Sequence, residues 1–487
     1  MEKTSFAPVP KLSSAELRDV LFGLLICIFL AALDQTIVAV ALPDIGRQMP
    51  GAELLAWVIS GYVLALTVST PIFGKLGDIY GRRRLLAVSI ILFVVASLLC
   101  GLAQDMSQLV AARLLQGAGA GGLLAIVQAL IGDLIAPAER GRYQAWFSGV
   151  FALAGLIGPP LGSVMTSQWS WRWVFLINLP LGIVAYLLCM ARLEGLREFR
   201  RDARIDYFGT LLFVVGISGL LILLDELGRP GQGQKVAWLA GMMAVLGLAL
   251  FAWQQRRARE ALLPLALMRI GPVRSGWLII LFANFQALGL VIMLPLYAQG
   301  TGANAAGLLM AVAFGAPLGA YVGGYWSSRA RRYKPMIIAG SLLLPISLTL
   351  LALLPSPHGP ATLSVLVLCG LALGLQFPTA LVAVQSAAPR DHLGVATGAC
   401  GLFRGLGGAL GVAMLSAILW NLLARCGECG TLIPGQALDA LGVGPLQDVF
   451  QQLFLVDAVI AMLPLLVALR LEDHDLEREG RGQAGAR

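Results

Sequence analysis

Long apolar runs separated by short charged breaks recur along almost the whole chain. Val20–Pro43 sets the pattern: its only charged side chain is Asp34, near the middle. At about 1.5 Å per residue, a helix of roughly 20 apolar residues crosses the hydrocarbon core of a bilayer. Runs of that length predict fourteen spans, near 20–43, 54–76, 85–103, 108–132, 143–166, 173–191, 207–224, 237–254, 275–298, 303–325, 335–355, 361–386, 395–420 and 449–469, numbered span 1 to span 14 in that order. A membrane-crossing strand barrel would alternate apolar and polar residues with period two, and these runs do not. The expected fold class is an all-α polytopic membrane protein.

Composition agrees. The 487 residues are 58% hydrophobic and 13% charged, too few charges to cover a soluble surface of this size, and no stretch has room for a large soluble domain. The 57 glycines suit closely packed spanning helices. The polar segment 1–19 lacks a small-residue cleavage site, so no removable signal peptide is expected. With both termini placed in the cytoplasm, 28 of the 35 lysines and arginines fall in inner turns, connections and tails. Five fall outside, and Arg113 and Arg404 lie within spans. That asymmetry is the positive-inside rule, and it accounts for the net charge of +8 without any nucleic acid partner. It predicts an inner (cytoplasmic) membrane protein with cytoplasmic tails at 1–19 and 470–487. Five cysteines lie in or at spans as packing residues. Cys426 and Cys429, in ARCGECG, fall in the last outward loop, where they form a short disulfide or remain two free thiols. Two such ligands alone make a poor metal site, and no metal is expected.

The turn joining spans 2 and 3, Gly74–Leu86, reads GKLGDIYGRRRLL. Gly74 and Gly81 permit close packing and a tight reversal, and Asp78 sits among arginines. Taken alone, this is a solvated charge cluster that sets topology. Its spacing, however, resembles the signature loop of the major facilitator superfamily. Gly74, Leu76, Asp78, Gly81, Arg82 and Arg83 all fall on that pattern, with Ile79 in place of a usual basic residue. Other stretches resemble the superfamily's fourteen-helix drug/proton antiporters, the EmrB/QacA type. LDQTIVAVALP (33–43) matches the span 1 signature, with Ala39 for the usual asparagine. LVAARLLQGAGAGG (109–122) matches that of span 4 and carries Arg113, Gln116 and Gly117. AGLIGPPLGS (154–163) matches the antiporter motif of span 5, with Ala154 and Ser163 for usual glycines; WRWVFLINLP (171–180) and FRGLGGALGVA (403–413) complete the likeness.

The resemblance implies two six-helix bundles, at 20–191 and 275–469, joined by a 192–274 segment of cytoplasmic linkers with two inserted helices. It implies a central cavity lined by spans 1, 4, 9 and 12, with Gln35, Gln116, Asn284, Gln286, Tyr297 and Gln376 as candidate lining residues and Trp57 and Tyr62 of span 2 at its border. Each lone polar residue could equally serve as an interhelical hydrogen bond. The loop Gly74–Arg83 would act as a conformational latch, Asp78 facing the start of a helix in the other half. That helix is expected to be span 11, opened by Pro335 at a first-turn position. Arg82 would pair with Asp133 at the inner end of span 4. In the second half GYWSSRARRYK (324–334) occupies the matching turn, with Ser328 standing where an acid would. In the span 5 motif of Gly155, Gly158, Pro159 and Gly162, the prolines Pro159 and Pro160 bend the helix. The glycines would admit a neighbour that seals the cavity; a simple packing kink is the alternative.

A charge at the depth of Asp34 costs at least about 2.5–3.5 kcal/mol, so it needs a partner, water or a proton. Arg113, in span 4, lies within about half a bilayer leaflet of it in depth. Desolvation favours a neutral carboxyl, whereas a nearby guanidinium favours the charged form. A site whose balance shifts as the cavity opens to either side carries protons, the role the resemblance implies for Asp34 and Arg113. A static ion pair holding two helices together is the alternative. Asp457, in LFLVDAVIAML of span 14, is expected to make a structural hydrogen bond, with Arg404 as a candidate partner.

The expected activity is proton-coupled antiport that exports hydrophobic or amphipathic small molecules by alternating access. No GxxxxGK[ST] loop is present, so the drive is a proton gradient and no cofactor is expected. Expected partners are hydrophobic small-molecule substrates, protons, the lipid bilayer and, as for relatives in two-membrane bacteria, a periplasmic membrane-fusion adaptor protein. A dedicated exporter of one endogenous metabolite and a proton-coupled importer are alternatives on the same scaffold; a non-transporting membrane receptor is an alternative of another class. Enzymatic activity is not expected, because His358, His392 and His474 are scattered over loops and tail without a nucleophile or metal constellation.

Overall fold

The computed structural model describes residues 14–51, 54–193, 206–227, 234–258, 261–301, 303–354, 359–425 and 443–472. Among these residues there is no strand. Fourteen helices are long and apolar enough to cross a membrane. They are Leu17–Gln48, Leu55–Tyr80, Arg82–Leu102, Met106–Leu134, Pro137–Gln168, Trp173–Ala191, Tyr207–Leu227, Lys235–Gln255, Gly271–Ala298, Ala305–Ala330, Lys334–Leu353, Pro360–Ala387, Leu393–Leu423 and Leu446–Leu469. Each falls on one expected span and takes its number.

Helix ends follow local chemistry. Span 2 stops at Gly81, whose φ of 94° turns the chain straight into span 3 and is a conformation that side chains with a Cβ resist. Span 4 starts at Asp105, whose carboxylate accepts from the Gln108 N–H at 2.8 Å. Span 5 begins at Pro137, earlier than its apolar run, because proline in the first turn forfeits no helical hydrogen bond.

Spans 1–6 form one bundle, with Leu24, Ile28, Phe93 and Ile126 in its core. Spans 9–14 form another, around Leu294, Leu348, Leu366 and Phe450. Spans 4 and 12 are the most enclosed, with 72% and 78% of their apolar windows buried; span 8, at 17%, is peripheral. Spans 7 and 8 pair with each other, and Phe213, Ile217 and Leu221 of span 7 dock against Val68 of span 2 and Leu402 of span 13.

The two bundles meet where span 2 crosses span 13 and where span 5 crosses span 10. Without a hydrophobic force between helices in lipid, backbone approach over small residues sets these crossings. A Cβ on Gly74 would lie 2.3 Å from the carbonyl oxygen of Gly394, and one on Gly324 would lie 2.2 Å from that of Gly141. Both crossings sit at the face of the molecule that carries Ser14 and Leu469, the end of span 14. That terminal face is closed.

Candidate functional site

Asp34 is fully buried and points into the first bundle. Its Oδ2 accepts from Nη1 of Arg113 at 2.5 Å, and its Oδ1 accepts from the side-chain amides of Gln116 at 2.8 Å and Asn178 at 3.1 Å. Arg113 is held in turn: Nε donates to the carbonyl of Val58 at 3.0 Å, Nη1 also reaches Gln116 Oε1 at 2.7 Å, and its Cζ lies 4.1 Å from the Tyr62 ring centroid. Ser97 of span 3 accepts from Gln116 Nε2 at 2.7 Å. Spans 1, 3, 4 and 6 therefore each contribute to one polar cluster inside an apolar bundle. Such a cluster is tolerable there because each charge is matched and hydrogen-bonded. Sequence reasoning brought Asp34 and Arg113 together but missed Asn178 and Ser97. The available signal for Asn178 was a lone amide in the otherwise apolar FLINLP of span 6.

The second constellation is at the terminal face. Asp78 accepts from the backbone N–H groups of Gly394 and Val395, both at 2.9 Å, in the first turn of span 13. These are the orphan donors of a helix start, at the positive end of its dipole. Arg82 Nη2 lies 2.9 Å from Asp78, and Arg82 Nε donates to Asp133. The helix gripped is span 13, which corrects the expectation of span 11. The start of span 11 lies elsewhere in the second bundle, where Tyr333 and Lys334 donate to the carbonyls of Glu472 and Leu469 beside the end of span 14. Arg140 adds a link unforeseen from sequence. Its guanidinium donates to the carbonyls of Ile135 and Gly132 at the end of span 4 and, at 2.9 Å, to that of Gln385 in span 12. Nearest Gly141 the opposite half presents the Gly324 carbonyl and the hydroxyls of Ser327 and Ser328, all uncharged.

Comparison with known proteins settles the family. The family model described as Major Facilitator Superfamily matches residues 24–412. The multidrug transporter protein MdtP of Bacillus subtilis is 32% identical over 82% of this chain and 74% of its own length. Multidrug resistance protein 3 of the same organism is 30% identical over 90% of this chain and 87% of its own. In fold, the chain is similar to the crystal structure of the human organic anion transporter MFSD10 (TETRAN), with a TM-score of 0.62 over 92% of this chain and all of that one, at 16% identity. This chain belongs to the major facilitator superfamily. It is a multi-pass membrane transporter whose relatives are named as multidrug transporters and efflux pumps.

Within this major facilitator fold, the expected cavity residues divide into two groups. Gln35 is exposed, and Trp57 and Asn284 are half-buried. Tyr62, Gln116, Gln286, Tyr297 and Gln376 are buried inside the bundles and do not line a cavity, which corrects their expected placement. Tyr62 and Gln116 belong to the Arg113 cluster. Gln286 donates to the backbone carbonyl of Asp457 at 3.4 Å, and Gln376 to that of Ala372 at 3.3 Å. Tyr297 packs 5.2 and 5.6 Å from the rings of Phe450 and Phe454. Buried polar atoms take any internal acceptor within reach, and backbone carbonyls are the nearest.

The span 5 motif presses on span 1. A Cβ on Gly158 would lie 2.1 Å from Thr36 Oγ1, and one on Gly162 would lie 2.9 Å from the carbonyl oxygen of Ile37. Gly155 packs against nothing: no atom comes within 4 Å of its Cβ position. Pro159 and Pro160 lie on the exposed side of the helix. Asp457 is buried in the second bundle, and its expected partner Arg404 is not beside it; Arg404 lies against Phe151 and Phe377 instead. Cys27, Cys100, Cys189, Cys369 and Cys400 are buried free thiols. Cys426 and Cys429 lie outside the described residues.

Proposed function

We propose that this chain is a proton-coupled antiporter of the fourteen-helix EmrB/QacA type. It exports hydrophobic or amphipathic small molecules across the inner membrane by alternating access between two six-helix bundles, with both termini in the cytoplasm. The fully buried Asp34, held by Arg113, Gln116 and Asn178, carries this reading. A carboxyl group paired with one guanidinium can exchange that partner for one proton, and the exchange changes what holds spans 1 and 4 together. Thr36 and Ile37, next to Asp34, seat on Gly158 and Gly162 of span 5, and the far end of span 5 crosses the opposite bundle at Gly141. One helix thus links the acid to the contact between the halves.

Other observations support the same reading. The basic residues place the terminal face in the cytoplasm. The closed terminal face then corresponds to an outward-directed state, held by contacts that must break for the cycle to proceed. A proton falling through 100 mV contributes about 2.3 kcal/mol, and a gradient of one pH unit about 1.4 kcal/mol. Together they hold a cargo gradient of several hundredfold. The names of the relatives, a multidrug transporter and a multidrug resistance protein, support chemically varied cargo.

The test is Asp34→Asn in inverted vesicles, with an amphipathic dye supplied outside and its proton-driven uptake followed. Proton-driven transport is expected to fall to the uncoupled background while the protein remains folded in the membrane. Unchanged proton-driven transport would overturn the proposal.

A further inference from the structure

We propose that Arg404 anchors the acid group of an amphipathic organic anion held as cargo between the two bundles. The inference rests on the export reading and names the class of cargo.

Arg404 lies within span 13, and its Cζ sits 5.1 Å from the ring centroids of Phe151 in span 5 and of Phe377 in span 12. It therefore stands at the junction of the halves, against one ring from each. In the first bundle, by contrast, Asp34 is matched with Arg113 and, at the terminal face, Asp78 and Asp133 with Arg82. Among the described residues Arg404 has no carboxylate within ion-pair distance and no hydrogen-bond acceptor for its N–H groups. A guanidinium at membrane depth calls for an anion, and the unmatched N–H groups of Arg404 suit a carboxylate or sulfonate.

Its level along the helices fits a floor above the closed terminal face. Toward that face, residues 378–386 of span 12 and 395–400 of span 13 are all buried. At Arg404 exposure begins, with Phe403, Arg404, Gly405 and Leu406 all partly open. In span 5, the residues just beyond Phe151 include Leu153, Gly155, Leu156 and Ile157, all exposed. An acid group on the guanidinium would leave its apolar body on Phe151 and Phe377, the arrangement an amphipathic anion requires.

The experiment uses full-length protein in phosphatidylcholine nanodiscs and fluorescence titration of 1-pyrenebutyrate, its neutral amide and ethidium. The unmodified protein is expected to bind the carboxylate about tenfold more tightly than the amide, as a charge-assisted bidentate contact allows. Arg404→Gln is expected to abolish that preference while leaving amide and ethidium binding in place. Arg404→Lys, a point charge without the fork, is expected to retain part of it. Three results would overturn the proposal: no preference in the unmodified protein, equal weakening of all three probes in both variants, or loss of the preference when phosphatidylglycerol is added, which would assign the site to lipid headgroups. Failure of the export reading shows separately, as ethidium efflux from vesicles that ignores the proton gradient in the unmodified protein.

Discussion

Arg113 Nη1 lies 2.5 Å from Asp34 Oδ2, with both side chains shut off from solvent. Removing one partner from such a pair strands the other charge, which costs about 3–5 kcal/mol in buried sites. Arg113→Gln is therefore expected to lower the unfolding temperature sharply. The double variant Asp34→Asn with Arg113→Gln should recover part of the loss, because neither charge is then left alone. Thermal unfolding in detergent, run as a double-mutant cycle, checks this; two independent, additive losses would show that the pair is not coupled.

Closure of the terminal face depends on backbone approach as much as on charge. Gly74→Ala places a methyl 2.3 Å from the Gly394 carbonyl oxygen, so spans 2 and 13 must separate. Asp78→Asn keeps the shape and removes the anion from the helix start, a loss of about 0.3–1 kcal/mol when exposed and up to about 2 when partly buried. Both variants are expected to shift the population toward a state open at this face, Gly74→Ala the further. Spin labels on Arg142 and Arg329 should report a longer distance in both; an unchanged distance distribution would show that the latch does not set the state.

The span 5 glycines differ in what they touch, and substitutions should differ with them. Gly158→Ala drives a methyl into Thr36 Oγ1, next to Asp34, with an overpacking cost of about 1–3 kcal/mol. Gly155→Ala meets no atom within 4 Å and is expected to leave both stability and transport unchanged. Side-by-side dye efflux and thermal stability measurements check the contrast, and equal impairment would mean that the motif acts through something other than its contact with span 1.

Outside the membrane, the cap of span 4 gives a pH dependence of known sign. Hydrogen bonds from the Ser107 hydroxyl and the Gln108 N–H hold the Asp105 carboxyl below the usual aspartate range. A group with a depressed pKa stabilises the fold fully above its unfolded value, and that contribution is lost as pH falls through the folded value. Asp105 is therefore expected to contribute evenly from neutral pH down to about 4 and to lose its contribution below that. Asp105→Asn keeps a capping acceptor and should flatten this part of an acid stability profile; an unchanged profile would remove Asp105 as its source.

The amino-acid sequence by itself determined the fourteen spans, the Gly81 reversal and the presence of a carboxylate and a guanidinium at membrane depth. Length and apolarity suffice for the first, a required backbone angle for the second, and the rarity of such charges in lipid for the third. Only the tertiary structure decided which faces meet. Spans that are apolar around their whole circumference carry no pattern that separates a bundle's inside from a cleft. Gln286, Tyr297 and Gln376 therefore looked like cavity residues and are core residues, while Asn178 and Ser97 joined Asp34 unannounced. The partner of Asp78 moved from span 11 to span 13 for a related reason. A helix start offers the same free N–H groups wherever it occurs, and only packing determines which start comes to rest beside span 2.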